Sequence, residues 1–595
     1  MSTTIKPTEA GTAFLTTPVS ESADRIFTLE QTDEEQRWIA ESAATFSQRE
    51  VLPRVEAIDH QEPGLMPSLV KKAGEQGLLM IDVPEAYGGA ELGLLTSALV
   101  ASQLQEASFG VAFGAHTTIG TLPIVFYGTE EQKERYLPRL ASGEWIAAYA
   151  LTEPGAGSDA MGLSTRARLA DDGKHYILNG TKQWISNAGF ADLMVVFARI
   201  NNERPSAFIV EASWPGVSTG AEERKMGIKG SSTRQVYFED VQVPVENLLG
   251  EIHKGYKIAF NILNIGRLKL GAGAVGGART AVGLAAAYTV ERKAFGKFLH
   301  EFGMIQKKLA RMAAETYAAE SEVFRTAANI ENARRGAGEN TDAVFKAIEE
   351  YAIEASIAKV HGSEVLSQVV DEGVQIFGGY GFMQEYPIEK AYRDARIQRI
   401  FEGTNEINRL VAAGTLFRRV LGGKLDMMAR FPAIEARIQS GQAPASSGEA
   451  VPAELREAVD ALERAKDVTI YAAMRIAMKY MQALENEEEF IEYLANLLID
   501  LYASDSALAR AVQAVRRGDA NSAVHVKLAQ LATWLAFSRM RSNLDQMLMT
   551  NLDADSVQAE LDRVRAYIGD YLLNGVTLQR EIAAIVVEKQ SYPLV

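Results

Sequence analysis

The patterning of apolar and polar residues changes character twice along this 595-residue chain. Residues 28 to about 148 read as helices. Thr32-Asp-Glu-Glu35 and Thr129-Glu-Glu-Gln132 each fit a capping box, in which a hydroxyl and a carboxyl or amide satisfy free N–H groups at a helix start. From Tyr149 to roughly residue 250 the runs shorten and become β-rich: His175-Tyr-Ile-Leu178, Leu193-Met-Val-Val-Phe197, Ala207-Phe-Ile-Val210 and Gln235-Val-Tyr-Phe238. Turn formers separate them, among them Asp171-Asp-Gly173, Asn179-Gly180 and Trp214-Pro-Gly216, so a compact β domain is predicted. After residue 255, stretches rich in Ala, Leu, Glu, Lys and Arg restore a helical reading to about residue 420. Gly441 to Pro452 is small, polar and proline-bearing, a linker composition. Beyond it Phe490, Leu494, Leu497, Leu498 and Leu501 recur at helical spacing, as do Leu528, Leu531 and Leu535. Such stripes face the core of a bundle; a membrane-surface or partner-docking face is the alternative.

Composition narrows the class. With 47% hydrophobic and 23% charged residues the chain can bury several cores, and its length predicts multiple domains. A net charge of −16 argues against general nucleic-acid binding. The absence of cysteine removes disulfides, thiolate nucleophiles and cysteine-held metals; it suits a reducing compartment, and a cytoplasmic location is the expectation. The seven histidines (His60, His116, His175, His253, His300, His361 and His525) are too far apart for a helical ligand pair, so no metal site is predicted. The first 27 residues carry two basic side chains and no apolar core, as in a flexible arm and unlike a signal or transit peptide. No run approaches the roughly 18 consecutive apolar residues of a membrane span.

The chemistry concentrates at Arg399-Ile-Phe-Glu-Gly-Thr-Asn-Glu-Ile-Asn408. There Glu402 sits between apolar Ile400 and Phe401 and flexible Gly403. Apolar surroundings raise a carboxylate's pKa towards the range of a general base near neutrality, although many such Glu residues lie on the polar edge of a helix. The loop Tyr149-Ala-Leu-Thr-Glu-Pro-Gly-Ala-Gly-Ser-Asp159 sets Thr152 and Ser158 around two glycines, so backbone can approach a flat or phosphorylated ligand; a plain surface turn has the same composition. On a strand Trp184 and Ser186 share a face, where a ring can stack and its edge be bonded, or where Trp184 fills a core. Arg292 and Phe295 suit a pyrophosphate and an adenine or flavin edge, or are solvated helix-end residues. Gln375-Ile-Phe-Gly-Gly-Tyr-Gly381 is a phosphate-approachable turn or a helix C-cap. Gly271-Ala-Gly-Ala-Val-Gly276 matches a dinucleotide fingerprint in letters only, since no strand precedes it; close helix packing is predicted instead.

Taken in order, Ala148-Tyr-Ala-Leu-Thr-Glu-Pro-Gly-Ala-Gly-Ser-Asp159, Lys182-Gln-Trp-Ile-Ser186, Gly227-Ile-Lys-Gly-Ser-Ser-Thr-Arg234, Glu291-Arg-Lys-Ala-Phe-Gly296, Gln375-Ile-Phe-Gly-Gly379 and Ile400-Phe-Glu-Gly-Thr404 resemble the acyl-CoA dehydrogenase family. The likeness runs from about residue 30 to 420, and the length beyond it resembles the very-long-chain type. The resemblance implies a mainly α fold with a β-barrel domain: a flexible arm over 1–27, a helical N-terminal domain over 28–148, a middle β-barrel over 149–252 and a four-helix bundle over 253–420. A linker over 421–452 and a C-terminal helical extension over 453–595 would follow.

The activity implied is FAD-dependent α,β-dehydrogenation of long-chain acyl-CoA to trans-2-enoyl-CoA in fatty-acid β-oxidation, with electrons passed to an electron-transfer flavoprotein. Glu402 would be the base. Tyr149, Leu151, Thr152, Ser158, Trp184 and Ser186 would line the flavin, and Ser158 would also lie near the CoA arm. Ser231, Ser232, Thr233 and Arg234 would contact substrate. Arg292, Phe295, Gln375 and Gly379 would hold the FAD of a partner subunit, with Thr404 and Glu406 near its AMP half. Ala294 and Gly303 depart from the residues common in the family at those positions. Gly266, before Arg267, stands where some relatives place the base. A homodimer is expected, because residues 453 to 595 would cover the surface through which shorter relatives form tetramers. An acyl-CoA oxidase and a non-catalytic assembly protein are the rival readings.

Overall fold

Helix caps set the first block. In the computed structural model, which describes residues 9–338, 340–551 and 554–594, helix Glu34–Phe46 starts at Asp33, whose Oδ1 accepts the N–H of Gln36 at 2.8 Å while Gln36 returns a side-chain bond at 3.2 Å. The box therefore lies one residue after the one expected at Thr32, because Asp33 caps at least as well as Thr and is followed by Gln at the third helical position. The Thr129–Gln132 box starts helix Glu130–Ser142 as expected. Helices Leu65–Glu75 and Gly93–Ala101 complete the block with the helical stretch Ala107–Tyr127. That stretch is long and apolar enough to cross a membrane, but 72% of its most apolar window is buried inside the protein.

The middle unit is an eight-stranded sheet: β1 (Ala147–Ala150), β2 (Arg166–Leu169), β3 (His175–Ser186), β4 (Leu193–Ile200), β5 (Pro205–Glu211), β6 (Val217–Thr219), β7 (Thr233–Pro244) and β8 (Leu248–Leu249). Its hydrogen-bonded path runs β6-β7-β3-β2-β4-β5-β8, with β1 parallel to β4. β4 and β5 serve two cores. Leu193, Val195, Phe197, Ala207 and Ile209 pack with the helices, while Met194, Val196, Phe208 and Val210 face the sheet's own interior. A strand covered on both faces reads as a continuous apolar run, which is how these two appear in the sequence. Asn179-Gly180 is no turn. It lies inside β3 at a register shift, where a Cβ on Gly180 would meet Thr165 Oγ1 at 2.5 Å.

Four long helices follow: Gly255–Glu291, Gly303–Ala337, Ala352–Phe377 and Asn405–Leu421. The glycine run in the first is a packing device, because an added Cβ would lie 2.7 Å from Ala358 O at Gly271 and 2.1 Å from Ser102 O at Gly276. Helix Glu488–Arg517 docks on the bundle with the expected Phe490, Leu494, Leu497, Leu498 and Leu501 all buried. The tail after helix Gly575–Lys589 folds back on the bundle: Tyr592 is buried with its hydroxyl 3.3 Å from Glu320 Oε2, and Gln590 O and Ser591 Cα each lie 3.7 Å from where a Cβ on Gly283 would stand.

Two further expectations are corrected. Residues 1–8 of the supposed flexible arm lie outside the described residues, but 9–27 are ordered: helix Val19–Arg25 packs on helix Glu488–Arg517, and Phe14, only 1% exposed, packs against the tilted ring of Tyr502. The few apolar residues of this segment are enough because they enter a core supplied by the extension. Within the supposed linker, residues 427–440 form helix Met427–Ser440, which buries Met427, Phe431, Ile434 and Ile438, a helical spacing that its composition hid.

Arg325 joins the three parts. It is buried and pairs with Glu9 from the arm and with Asp505 of the extension (2.6 Å), while Lys466 reaches the other oxygen of Asp505 at 2.7 Å. Removing one partner of such a buried set strands the others. Arg325→Met is expected to destabilise the protein by about 3–5 kcal/mol, seen as a lower urea midpoint; an unchanged midpoint would show that the cluster holds nothing together.

Candidate active site

The turn before helix Asn405–Leu421 is locked from several sides. Thr404 Oγ1 accepts the Ile407 N–H at 3.3 Å and starts the helix. Just before it, Glu402 and Gly403 take φ of 58° and 81°. Glycine enters the left-handed region freely, whereas for Glu402 the cost is about 1 kcal/mol. Its neighbours enforce it. Asn408 Nδ2 donates to Gly403 O (2.8 Å) and Thr404 O (3.0 Å); Lys359 Nζ donates to Gly403 O (2.7 Å) and Asn405 Oδ1 (2.6 Å); Arg267 Nε reaches Glu402 O at 3.4 Å. Side chains from three helices thus aim one carboxyl group.

The carboxyl lies over Gly266. A Cβ built at Gly266 would stand 2.6 Å from Glu402 Oε2, so the long helix Gly255–Glu291 leaves room there for a single acid. Glu402 Oε2 is enclosed and has no hydrogen-bond partner, although the residue keeps some exposure through the adjoining cavity. Burial raises the Glu402 pKa to about 7, against the pull of Arg267 and Lys359. The same dryness lowers Lys359 to about 7 and Arg267 to about 10, with Glu402 opposing both shifts. Tyr149 lies close enough to feel the Glu402 charge. Its hydroxyl is buried and unpartnered, its ring is edge-on to Phe197 at 5.1 Å, and burial pushes its pKa well up.

A cavity of about 570 Å³ opens beside Glu402, with Thr118, Ser186, Leu270, Gly273 and Phe401 in its wall. Ser186 ends β3, where a register shift between Lys182 and Ile185 and a φ of 56° at Trp184 break the regular strand. Ile185 is buried, Trp184 is 61% exposed, and half-buried Ser186 lines the cavity, which Trp184 does not. The neighbouring loop is set by Glu153. Its carboxylate takes Lys182 (2.8 Å), the N–H of Thr165 (3.0 Å) and the hydroxyls of Ser164 (2.7 Å) and Thr165 (2.5 Å), and Lys182 also donates to Leu151 O at 3.1 Å. Thr152 is half-buried and Ser158 exposed; Tyr149 and Leu151 turn their side chains into the core.

The expected substrate-contacting turn is different. Ser231, Ser232 and Thr233 are buried and bond inward: Ser231 Oγ donates to Ile228 O (3.0 Å), Ser232 Oγ to Glu222 Oε1 (2.7 Å), and the Thr233 N–H to Glu222 Oε2 (2.8 Å). Arg234 is spent on the same Glu222 at 2.7 Å. None of the four lines the cavity. Glu222, an acid the motif does not contain, draws them in.

A second cleft lies between helix ends. Arg292, over the Tyr380 ring at 5.4 Å, lines it with Gly378 and Gly379, and exposed Gln375 sits one turn away on the same helix as Ile376. Phe295 stands 95% exposed at the tip of the hairpin Lys293–Ala294 with Lys297–Phe298; its φ of 52° and the 79° of Gly296 make the tight turn. Thr404 spends its hydroxyl on the cap, and Glu406 is exposed in the first turn of that helix. Sequence reasoning missed Lys359 and the part played by Arg267. Each lies on a helix with no acid three or four residues away, a weak sign that its partner is distant.

Comparison with known proteins agrees over most of the chain. Models of the acyl-CoA dehydrogenase N-terminal, middle and C-terminal domains match residues 33–144, 148–241 and 253–417, and a further acyl-CoA dehydrogenase C-terminal domain matches 464–566. The chain is 44% identical to a probable acyl-CoA dehydrogenase of Bacillus subtilis over 96% of each. It is 38% identical to the very long-chain specific mitochondrial acyl-CoA dehydrogenase of Bos taurus, over 82% of this chain and 76% of that one. An acyl-CoA dehydrogenase from Bacillus anthracis crystallised with FAD superposes with a TM-score of 0.94 at 44% identity, over 98% of this chain and 100% of that one. Butyryl-CoA dehydrogenase from Megasphaera elsdenii superposes with a TM-score of 0.60 at 36% identity, over 65% of this chain and 99% of that one.

The raised pKa has a measurable sign. Glu402 moves from 4.5 to about 7 on folding, so the neutral acid favours the fold below pH 4.5 and that contribution is lost as pH rises through about 7. Glu402→Gln stays neutral throughout. Its thermal stability relative to wild type is expected to match near pH 4.5 and to gain about 2–3 kcal/mol by pH 8, and a gain independent of pH would contradict the raised value.

Proposed function

Since this chain belongs to the acyl-CoA dehydrogenase family, whose members are FAD-dependent oxidoreductases, we propose that it oxidises long-chain acyl-CoA thioesters to trans-2-enoyl-CoA in fatty-acid β-oxidation and hands the electrons to an electron-transfer flavoprotein. The observation that carries the reading is the enclosed, unpartnered Oε2 of Glu402 at a long cavity. The residues around it suit FAD: an exposed Trp184 and a half-buried Ser186 offer a stacking face and a hydrogen-bonding edge, and a Cβ on Gly155 or Gly157 would meet nothing within 4 Å, so backbone there is open to approach. Thr152, Ser158, Trp184 and Ser186 would hold its ring end. Arg292, Phe295, Gln375 and Gly379 would serve the FAD of a second subunit, with Thr404 and Glu406 nearby. The chemistry asked of FAD is to accept a hydride from the β-carbon.

The protein's own part is acid–base and electrostatic. Glu402 takes the α-proton as the C–H bond electrons become the new C=C bond and the β-hydrogen departs with its pair. A base with pKa near 7 is matched to that task at neutral pH. Negative charge grows on the thioester oxygen meanwhile. The N–H of Glu402 makes no hydrogen bond among the described residues and can receive that oxygen, a donor of a kind that contributes about 3 kcal/mol to a transition state. Lys359 and Arg267 hold the turn and keep a positive field behind the carboxylate. The wall residues exclude water.

Glu402→Gln is expected to keep its FAD but to slow anaerobic flavin bleaching by long-chain acyl-CoA by roughly 10²–10⁴; an unchanged rate would end this reading. Stoichiometric peroxide in air without another acceptor would replace the flavoprotein acceptor with dioxygen. The exposed Phe295, Met304 and Phe382 near the second cleft, together with the bundle surface covered by the extension, support a homodimer. Light scattering should give twice the chain mass, and a stable tetramer would contradict it.

A further inference from the structure

The cavity beside Glu402 is long, and one helix measures it. Gly266, Leu270, Gly273, Gly277, Ala281 and Leu284 of helix Gly255–Glu291 line it in succession, three or four residues apart and so on one face. Glu402 marks the origin, because its Oε2 lies over Gly266. At 1.5 Å of rise per residue, Gly273 stands about 10 Å and Gly277 about 16 Å further along the axis. An extended chain advances roughly 1.2 Å per bond. Counted from the carbon that Glu402 deprotonates, the two glycines therefore lie level with about the tenth and the fifteenth carbon of an acyl chain.

Glycine at these two positions is not demanded by packing. On the same helix, Gly271 and Gly276 are hemmed by backbone oxygens at 2.7 and 2.1 Å. A Cβ at Gly273, by contrast, meets nothing nearer than Ala101 O at 3.9 Å. At Gly277 it meets only the ends of Leu366, at 3.2 and 3.6 Å. Ala101 and Leu366 are themselves in the cavity wall. A side chain at either place would enter the lumen.

We infer that Gly273 and Gly277 set the longest acyl chain that the site admits, each by leaving its level of the cavity open. The inference rests on the proposed function, since it takes the occupant to be the chain of an acyl-CoA. Gly273→Leu would close the lumen near the tenth carbon and Gly277→Leu near the fifteenth.

The test is anaerobic flavin reduction of the FAD-loaded variants with saturated acyl-CoAs of graded length. In Gly273→Leu the ratio of kcat/KM for chains beyond about ten carbons to that for eight carbons should fall about tenfold or more; in Gly277→Leu the same fall should begin only beyond about fourteen carbons. If either leucine variant fails to fold, the alanine pair should show the same order with smaller shifts. A folding defect would lower all lengths together, so equal losses at every length, an unchanged profile, or the same cut-off in both variants overturns the inference. Wild-type protein that no acyl-CoA reduces overturns the function it rests on, and the inference with it.

Discussion

A carboxylate held where it is costly to charge governs this molecule. Water would restore Glu402 to an ordinary acid, so the site must be dry, and a dry acid must be aimed by something other than solvent. The turn at 402–403 does this with two left-handed residues, and Asn408, Lys359 and Arg267 hold its carbonyls. Those three come from three helices of the bundle, so the position of one side chain depends on the packing of all of them. Gly266 completes the arrangement by omission.

The extension is attached by a different logic. Buried Arg325 and Arg510 bind carboxylates from distant parts of the chain: Glu9 and Asp505 for one, Glu30 and Glu320 for the other. Such pairs repay desolvation only in one geometry. They therefore specify where arm, bundle and extension meet more than they strengthen the contact, while the surrounding leucines, isoleucines and alanines supply the general attraction.

What could be read in advance follows the range of the forces involved. The four β-rich runs fall inside strands, and the helical stripe from Phe490 to Leu501 is buried, because period and burial are local signals. Glu402 stood out as a candidate because its apolar neighbours are adjacent in sequence, and the ordered motifs that resemble the family assigned it the part of a base. Lys359 was not, because its partners Gly403 and Asn405 lie more than 40 positions away. The arm misled for the same reason: its few apolar residues look inadequate until Tyr502 and the extension supply the rest of the core. At Ser231–Arg234 the motif was visible but its direction was not, since Glu222 turns those groups inward.

Helix Gly255–Glu291 carries Gly266 under the carboxylate near one end and, near the other, Gly283 against Gln590 and Ser591, next to the lumen residue Leu284. The helix turn that carries Leu284 is therefore backed by residues some 300 positions later in the chain. The depth of the cavity and the position of its acid are thus fixed by opposite ends of the bundle's longest helix.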